Sequence, residues 1–261
     1  MQSRLTSVQP WPTSNREPEA SLLGGRTSPE GKPVNNHILL AIPHSEFLSL
    51  RPFLTYQSLR ANAILQETGE RIESAYFPNR GVVSIVVPTR EGKSVEVGVV
   101  GNEGLVGTSA LVGFDTSLHR ALVQVAGDGF QVRVEALKSV QASTPQLHAI
   151  SMRHAMTMAL QASQTAACNR FHGVEQRLAR WLLSMQDRVG NGYLHVTHDS
   201  LATILGTDRP SISLAAGILQ RKETIEYTRG EVRVVNRAGL EEASCECYAV
   251  LQQFNSPWAI K

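Results

Sequence analysis

Charge of one sign is missing from this chain: 25 Lys and Arg stand against 23 Asp and Glu, a formal net charge of +2 over 261 residues. A uniformly basic surface is therefore excluded, and any nucleic-acid contact must come from basic groups gathered on one face. Cysteine is scarce as well. Cys168, Cys245 and Cys247 are too few for a disulfide framework, and no Cys/His grouping has zinc-finger spacing. Metal binding and a response to oxidants are open to Cys245 and Cys247, but the expectation is reduced thiols in a C-terminal helix, with no metal site and no cofactor. No apolar run is long enough to span a bilayer, and no apolar signal-peptide core follows the N-terminus, so a cytoplasmic chain without a membrane partner is expected. His119 is the one histidine between Leu54 and Val134, too few donors for a metal-dependent cupin-like barrel enzyme. A phosphate-binding GKS/T loop, a GxSxG elbow and a paired-carboxylate site are missing too, and no catalytic residue is expected.

What is present is an apolar fraction of 42%, enough for a sizeable core, in a length that suits two domains and a tail. Thr197–Lys222 (THDSLATILGTDRPSISLAAGILQRK) carries the sharpest pattern. Leu201, Ile204 and Leu205 make one apolar face. Gly206 ends that helix, Asp208 is placed to cap a second, and Arg209 and Pro210 fall in its first turn. Ile212, Ala215, Ile218 and Leu219 form the second apolar face, and Ala202 permits close approach. This spacing predicts a helix-turn-helix, with an ordinary helical hairpin as the alternative. Thr224–Tyr227 and Val232–Val235 then flank Thr228-Arg229-Gly230-Glu231 as a hairpin, or wing, and Arg229 and Arg233 are its candidate phosphate contacts. Ala238–Leu251 is expected as a last helix.

The preceding chain divides by composition. Residues 1–36 carry five prolines and three glycines among few apolar groups and are expected to be a flexible arm. Residues 37–142 are expected to form a β jelly roll. Its strands include Tyr76-Phe77-Pro78, Gly81–Val87, Val95–Val100, Ala121–Val125 and Phe130–Val134, with turns at Pro78-Asn79, Pro88, Glu91-Gly92 and Gly127-Asp128-Gly129. A long helix follows, capped by Ser143 or Thr144, with Pro145 in its first turn, and it runs to about Cys168. Its alanine stripe (Ala155, Ala159, Ala162, Ala166) and adjacent Met152, Met156 and Leu160 mark residues 143–172 as a dimerisation helix and hinge. Val174–Val189 reads as an amphipathic helix with Val174, Leu178, Trp181, Leu182 and Met185 inward, opening a winged helix-turn-helix domain over residues 173–261. The fold class is α+β.

A jelly roll, a long helix, a hinge helix and a winged helix-turn-helix in that order resemble the Crp/Fnr family of bacterial transcription regulators. The resemblance runs from about His37 to Tyr248 and is specific from Thr165-Ala166-Ala167-Cys168-Asn169-Arg170 onward, through Val174–Met185, Leu201–Gly206 and Arg209–Ile218. It implies a homodimer whose two recognition helices enter successive major grooves of a near-palindromic duplex site, with RNA polymerase as a further candidate partner. Arg209 matches the arginine that opens the family's recognition helix, where a guanidinium can bond guanine O6 and N7 together or grip a phosphate. Ser211 and Ser213 lie on the same exposed face, and Thr197 is counted with them. Pro210 and Leu214 depart from the cyclic-AMP-type members, so their usual half-site is not expected here. The Gly101-Asn102-Glu103-Gly104 turn resembles the family's cyclic-phosphate turn, which makes Glu103 and Arg120 the candidate effector residues. However, His119 stands where the arginine is expected. The expectation is a regulator that needs no cyclic nucleotide, with a small-molecule-gated regulator as the alternative. The iron–sulfur branch uses an N-terminal cysteine cluster, and this chain has no cysteine before Cys168.

Overall fold

A computed structural model describes residues 25–190 and 192–255. Residues 1–24 of the expected arm lie outside them, but residues 25–36 are ordered, which corrects that part of the expectation. The Arg26 guanidinium donates to the carbonyls of Leu39 and Ile42 and sits over the Phe47 ring, while Val34 joins the core. Asn36 accepts from the backbone of Ile38 and Leu39 and donates to the carbonyls of Pro78 (2.9 Å) and Gly104 (2.8 Å). A few polar side chains thus hold a segment whose average composition argues for disorder.

Asn36 caps α1 (His37–Ala41), and α2 (His44–Leu50) follows. The roll is one antiparallel sheet of β1 (Thr55–Leu59), β2 (Ile64–Gln66), β3 (Ser74–Pro88), β4 (Ser94–Val100) and β5 (Arg120–Arg133), in the order β1-β5-β3-β4, with β2 also on β5. A short α3 (Thr108–Leu111) sits between β4 and β5. Two expected turns are not turns. Pro78-Asn79 lies inside β3 and Gly127-Asp128-Gly129 inside β5, opposite each other where the register shifts. A Cβ on Gly127 would stand 2.1 Å from the Arg80 oxygen, and one on Gly129 2.4 Å from the Phe77 oxygen. These glycines let two long strands cross closely and bend together, the role of a bulge rather than of a chain reversal. Phe77, Phe130, Val132 and Leu105 pack with Leu39, Phe47, Leu50 and Leu147 beneath the bend.

After α4 (Val134–Val140) comes α5 (Pro145–Phe171), 27 residues and therefore about 40 Å long. Its N-terminus is not capped by Ser143 or Thr144, whose hydroxyls donate to the Val140 carbonyl. The cap is Glu46 of α2, whose buried carboxylate accepts from the backbone N–H of Gln146 (3.0 Å) and Leu147 (2.9 Å). A negative charge there also meets the positive end of the helix dipole.

The helix α6 (Val174–Val189) departs from a one-sided amphipathic pattern: every residue from Arg177 to Gln186 is buried. It is held between the roll and the C-terminal elements. These are β6 (Leu194–His195), α7 (His198–Ile204), α8 (Arg209–Arg221), β7 (Ile225–Thr228), β8 (Glu231–Val234), α9 (Arg237–Ala243) and α10 (Cys247–Asn255). One core joins both sides: Val82 and Val99 of the roll pack with Trp181, Leu182, Leu201, Ile212, Leu219, Val232 and Leu240. The fold class is α+β, as expected. No helix among the described residues is long and apolar enough to cross a membrane.

Candidate nucleic-acid interface

The local chemistry of the two-helix motif follows the sequence closely. Thr197 caps α7, accepting from the Ser200 N–H at 3.1 Å. Gly206 follows that helix with φ of +58°, and Asp208 caps α8 by accepting from the Ser211 N–H at 2.8 Å. Hydrogen bonding to that N–H holds the Asp208 carboxyl below its usual range, which keeps the cap charged to more acidic pH. Ile212, Ala215, Ala216 and Leu219 turn inward, and Ala202 is buried where α7 meets α8.

The opposite face of α8 is open. Arg209, Pro210, Ser213, Leu214, Gln220 and Arg221 are exposed, and Ser211 is half-buried. Arg209 pairs loosely with Asp199 of α7, at 3.6 Å and with both side chains in solvent. Leu214 is 64% exposed in the middle of this ridge. The Ser213 hydroxyl is shared with His198 Nδ1 at 2.9 Å, and the His198 ring lies on Tyr227 of β7 with centroids 4.5 Å apart. Burial, with the Arg209 charge added, holds His198 below its usual value against the opposing pull of Asp199, which favours the neutral imidazole. His198 had no signal in the sequence as a positioning group, because its partners lie 15 and 29 residues away.

The wing is a three-stranded sheet in the order β6-β8-β7. Its tip is a two-residue turn, Arg229-Gly230, with φ of +51° and +84°. Both signs fit a type I′ hairpin turn, whose first position favours Asn, Asp or Gly over a long side chain. Arg229 points into solvent from that tip. Arg233 is exposed on β8 with its guanidinium over the Tyr193 ring, 5.6 Å from the centroid. Thr197, Arg209, Ser211, Ser213, Arg229 and Arg233 therefore all sit on α7, α8 or the wing.

The two candidate effector residues are not brought together. Glu103 is partly buried and paired with Arg188 of α6 at 2.8 Å, the two side chains being 13% and 5% exposed, and it also accepts from the Gly101 N–H. Its carboxyl is held below the usual range: burial opposes this, but the Arg188 charge and the backbone donors outweigh it. Arg120, the first residue of β5, donates from Nε to both oxygens of Glu67 at 3.0–3.1 Å. Each is neutralised by its own partner.

The cysteine reading needs correction in one respect. Cys245 precedes α10, and only Cys247 lies in that helix. Both thiols, moreover, meet Cys168 and His172 at the end of α5. No linear spacing shows this, because 77 residues separate Cys168 from Cys245.

Residues 176–243 match the Crp-like helix-turn-helix domain family. No curated relative matches the sequence. Among solved structures, the fold is similar to that of FixK2 from Bradyrhizobium japonicum, with a TM-score of 0.63 at 16% identity, covering 74% of this chain and 98% of that one. A putative transcriptional regulator of the Crp/Fnr family from Eubacterium rectale gives a TM-score of 0.64 at 14% identity, covering 79% and 97%. The c-di-GMP-responsive global regulator CLP of Xanthomonas campestris gives 0.61 at 16% identity, covering 74% and 99%.

Proposed function

We propose that this chain, a Crp-like helix-turn-helix domain set on the fold of the Crp/Fnr regulators, is a sequence-specific DNA-binding transcription regulator rather than an enzyme. In this reading it acts in the cytoplasm as a homodimer on a near-palindromic site and needs no cyclic nucleotide. The observation that carries the reading is the open ridge of α8. Its first turn offers the exposed guanidinium of Arg209, its middle offers the exposed apolar side chain of Leu214, and the wing stands beside it. A guanidinium suits guanine, and an apolar contact suits the methyl group of thymine. Arg229 adds to the argument. It holds a left-handed backbone at a cost on the order of 1 kcal/mol, which a stabilised hairpin would avoid with Asn or Gly. A side chain retained against that cost fits a phosphate contact.

The dimer rests on α5. Met156 is 62% and Leu160 40% exposed, and Ala159 and Ala166 lie open beside them. Such a stripe on a 40 Å helix suits a two-fold copy of itself. Independence from cyclic nucleotide rests on Glu103 and Arg120, both already paired inside the chain. RNA polymerase would be a partner on DNA. The experiment is selection from a random duplex library with the purified full chain. The expected result is an inverted repeat with its half-sites about one helical turn apart, bound by a dimer. No enrichment over random DNA would overturn the reading.

A further inference from the structure

Four metal-ligating side chains converge where α5 ends. Cys168 and His172 are one helical turn apart, Cys245 lies in the link after α9, and Cys247 begins α10. One ligand atom from each lies within 4.8 Å of all the others. The Sγ atoms of Cys168 and Cys245 are 3.6 Å apart, and Cys247 Sγ is 3.5 Å from His172 Nδ1. Tetrahedral zinc, with bonds of about 2.3 Å to sulfur and 2.0–2.1 Å to nitrogen, places neighbouring donors roughly 3.3–3.8 Å apart. All three cysteines are buried, and the His172 side chain is 16% exposed. Donors this close surround one ion and leave no room for a polynuclear cluster.

We propose that Cys168, His172, Cys245 and Cys247 form a structural zinc site that clasps α10 to the end of α5. The surroundings suit such a site. His172 directs Nδ1 at the sulfurs while Nε2 lies 3.2 Å from Glu246 Oε1, and a carboxylate on the far nitrogen orients a histidine ligand and raises its basicity. The Gln164 amide donates to Cys247 Sγ at 3.0 Å. Three thiolates and one Zn²⁺ leave one net negative charge, and the charges of two buried arginines of α6 act on Cys168 with the opposite sign. Arg177 and Arg180 each keep an Nε with no hydrogen-bond partner among the described residues. Binding exchanges the ion for the thiol protons, which go to solvent. Four protein ligands close the coordination sphere, so the site holds structure and activates no water. The clasp lies beside His172-Gly173, where α5 gives way to α6, and it fixes the C-terminal helix against both.

The full chain, purified under reducing conditions without chelator, is expected to carry stoichiometric zinc. After chelation, Co²⁺ should restore thiolate charge-transfer absorption in the near ultraviolet and the visible bands of tetrahedral cobalt. Zinc should protect all three thiols from alkylation and raise the melting temperature of the unmutated chain, readouts that survive even where a variant fails to fold. Cys245→Ser and Cys247→Ser should lose the ion, His172→Cys should keep it, and Glu246→Gln should weaken binding roughly tenfold. Three results would each overturn the proposal. They are no uptake of Zn²⁺ or Co²⁺ by the reduced chain, full retention in both serine variants, and a Cys168–Cys245 disulfide in place of metal.

Discussion

Arg209 and Arg229 are both exposed cations on the same face, yet their positions assign them different work. Arg209 leaves the first turn of α8 with a loose Asp199 contact to give up, and a solvent-exposed pair of this kind is worth about 0–1 kcal/mol. If its fork reads a guanine, Arg209→Ala should cost about 1–3 kcal/mol on the selected site and much less on random DNA. Arg229→Ala should weaken both kinds of DNA alike and lower the salt slope by about one. Titrations over a range of salt separate the two, and equal loss on both DNAs for Arg209→Ala would move that residue to the backbone. A second residue-scale prediction concerns Glu96 of β4. Its carboxyl accepts from Trp181 Nε1 at 3.1 Å and from the Ser84 hydroxyl, and burial pushes its pKa up to about 7 from 4.5. Between those values the folded chain binds a proton that the unfolded chain has released, so stability should fall as pH rises through that window and level off above it. The span corresponds to a few kcal/mol. Glu96→Gln keeps the acceptor for Trp181 and should flatten this part of the profile in denaturant melts; an unchanged slope would show that another group is responsible. Neither the arginines' exposure nor the burial of Glu96 follows from residue type alone. The helix period places Arg209 on an open face, whereas Glu96 stands in an alternating strand and reads as a surface charge.

At the scale of elements, α5 is the proposed seam of the dimer. Ala159 is exposed in the single chain, so Ala159→Glu should leave the fold intact, as circular dichroism can verify. Across a two-fold seam it would set two carboxylates in a close apolar contact, at a cost of several kcal/mol. Sedimentation should then show monomers; a dimer of undiminished affinity would place the seam elsewhere. The helices were legible in the sequence because their signals are local: the cap at Asp208, Gly206 before it, and the apolar spacing of α8. What was not legible depended on distant chain. Glu46 caps α5 across 100 residues, and Cys168 meets Cys245 across 77. The glycines at 127 and 129 carry the same composition whether they reverse a chain or admit a crossing strand, and only β3 opposite them decides. The helix α6 looked one-sided because its polar residues face another protein surface: Arg188 meets Glu103, and the Arg177 guanidinium bonds the Leu205 carbonyl at 2.7 Å.

At the scale of the whole molecule, those contacts determine what could control it. The helix-turn-helix and the roll share one core around Trp181, so their arrangement is fixed by packing and by two carboxylates, the buried Glu96 and the partly buried Glu103. An effector shifts such an arrangement only by binding one state more tightly than another. A cyclic phosphate needs a guanidinium and several donors converging on its oxygens. Here Arg120 already bonds both oxygens of Glu67, and Glu103 would have to leave Arg188. Breaking that pair strands a buried charge, at roughly 3–5 kcal/mol, before any ligand contact forms. Calorimetry with cyclic AMP and cyclic GMP should therefore show no binding in the micromolar range. DNA titrations with and without each nucleotide should coincide, the dimer being competent as it stands. Micromolar binding that tightens the DNA complex tenfold, about 1.4 kcal/mol of coupling, would overturn this and return Glu103 and Arg120 to the role of phosphate ligands.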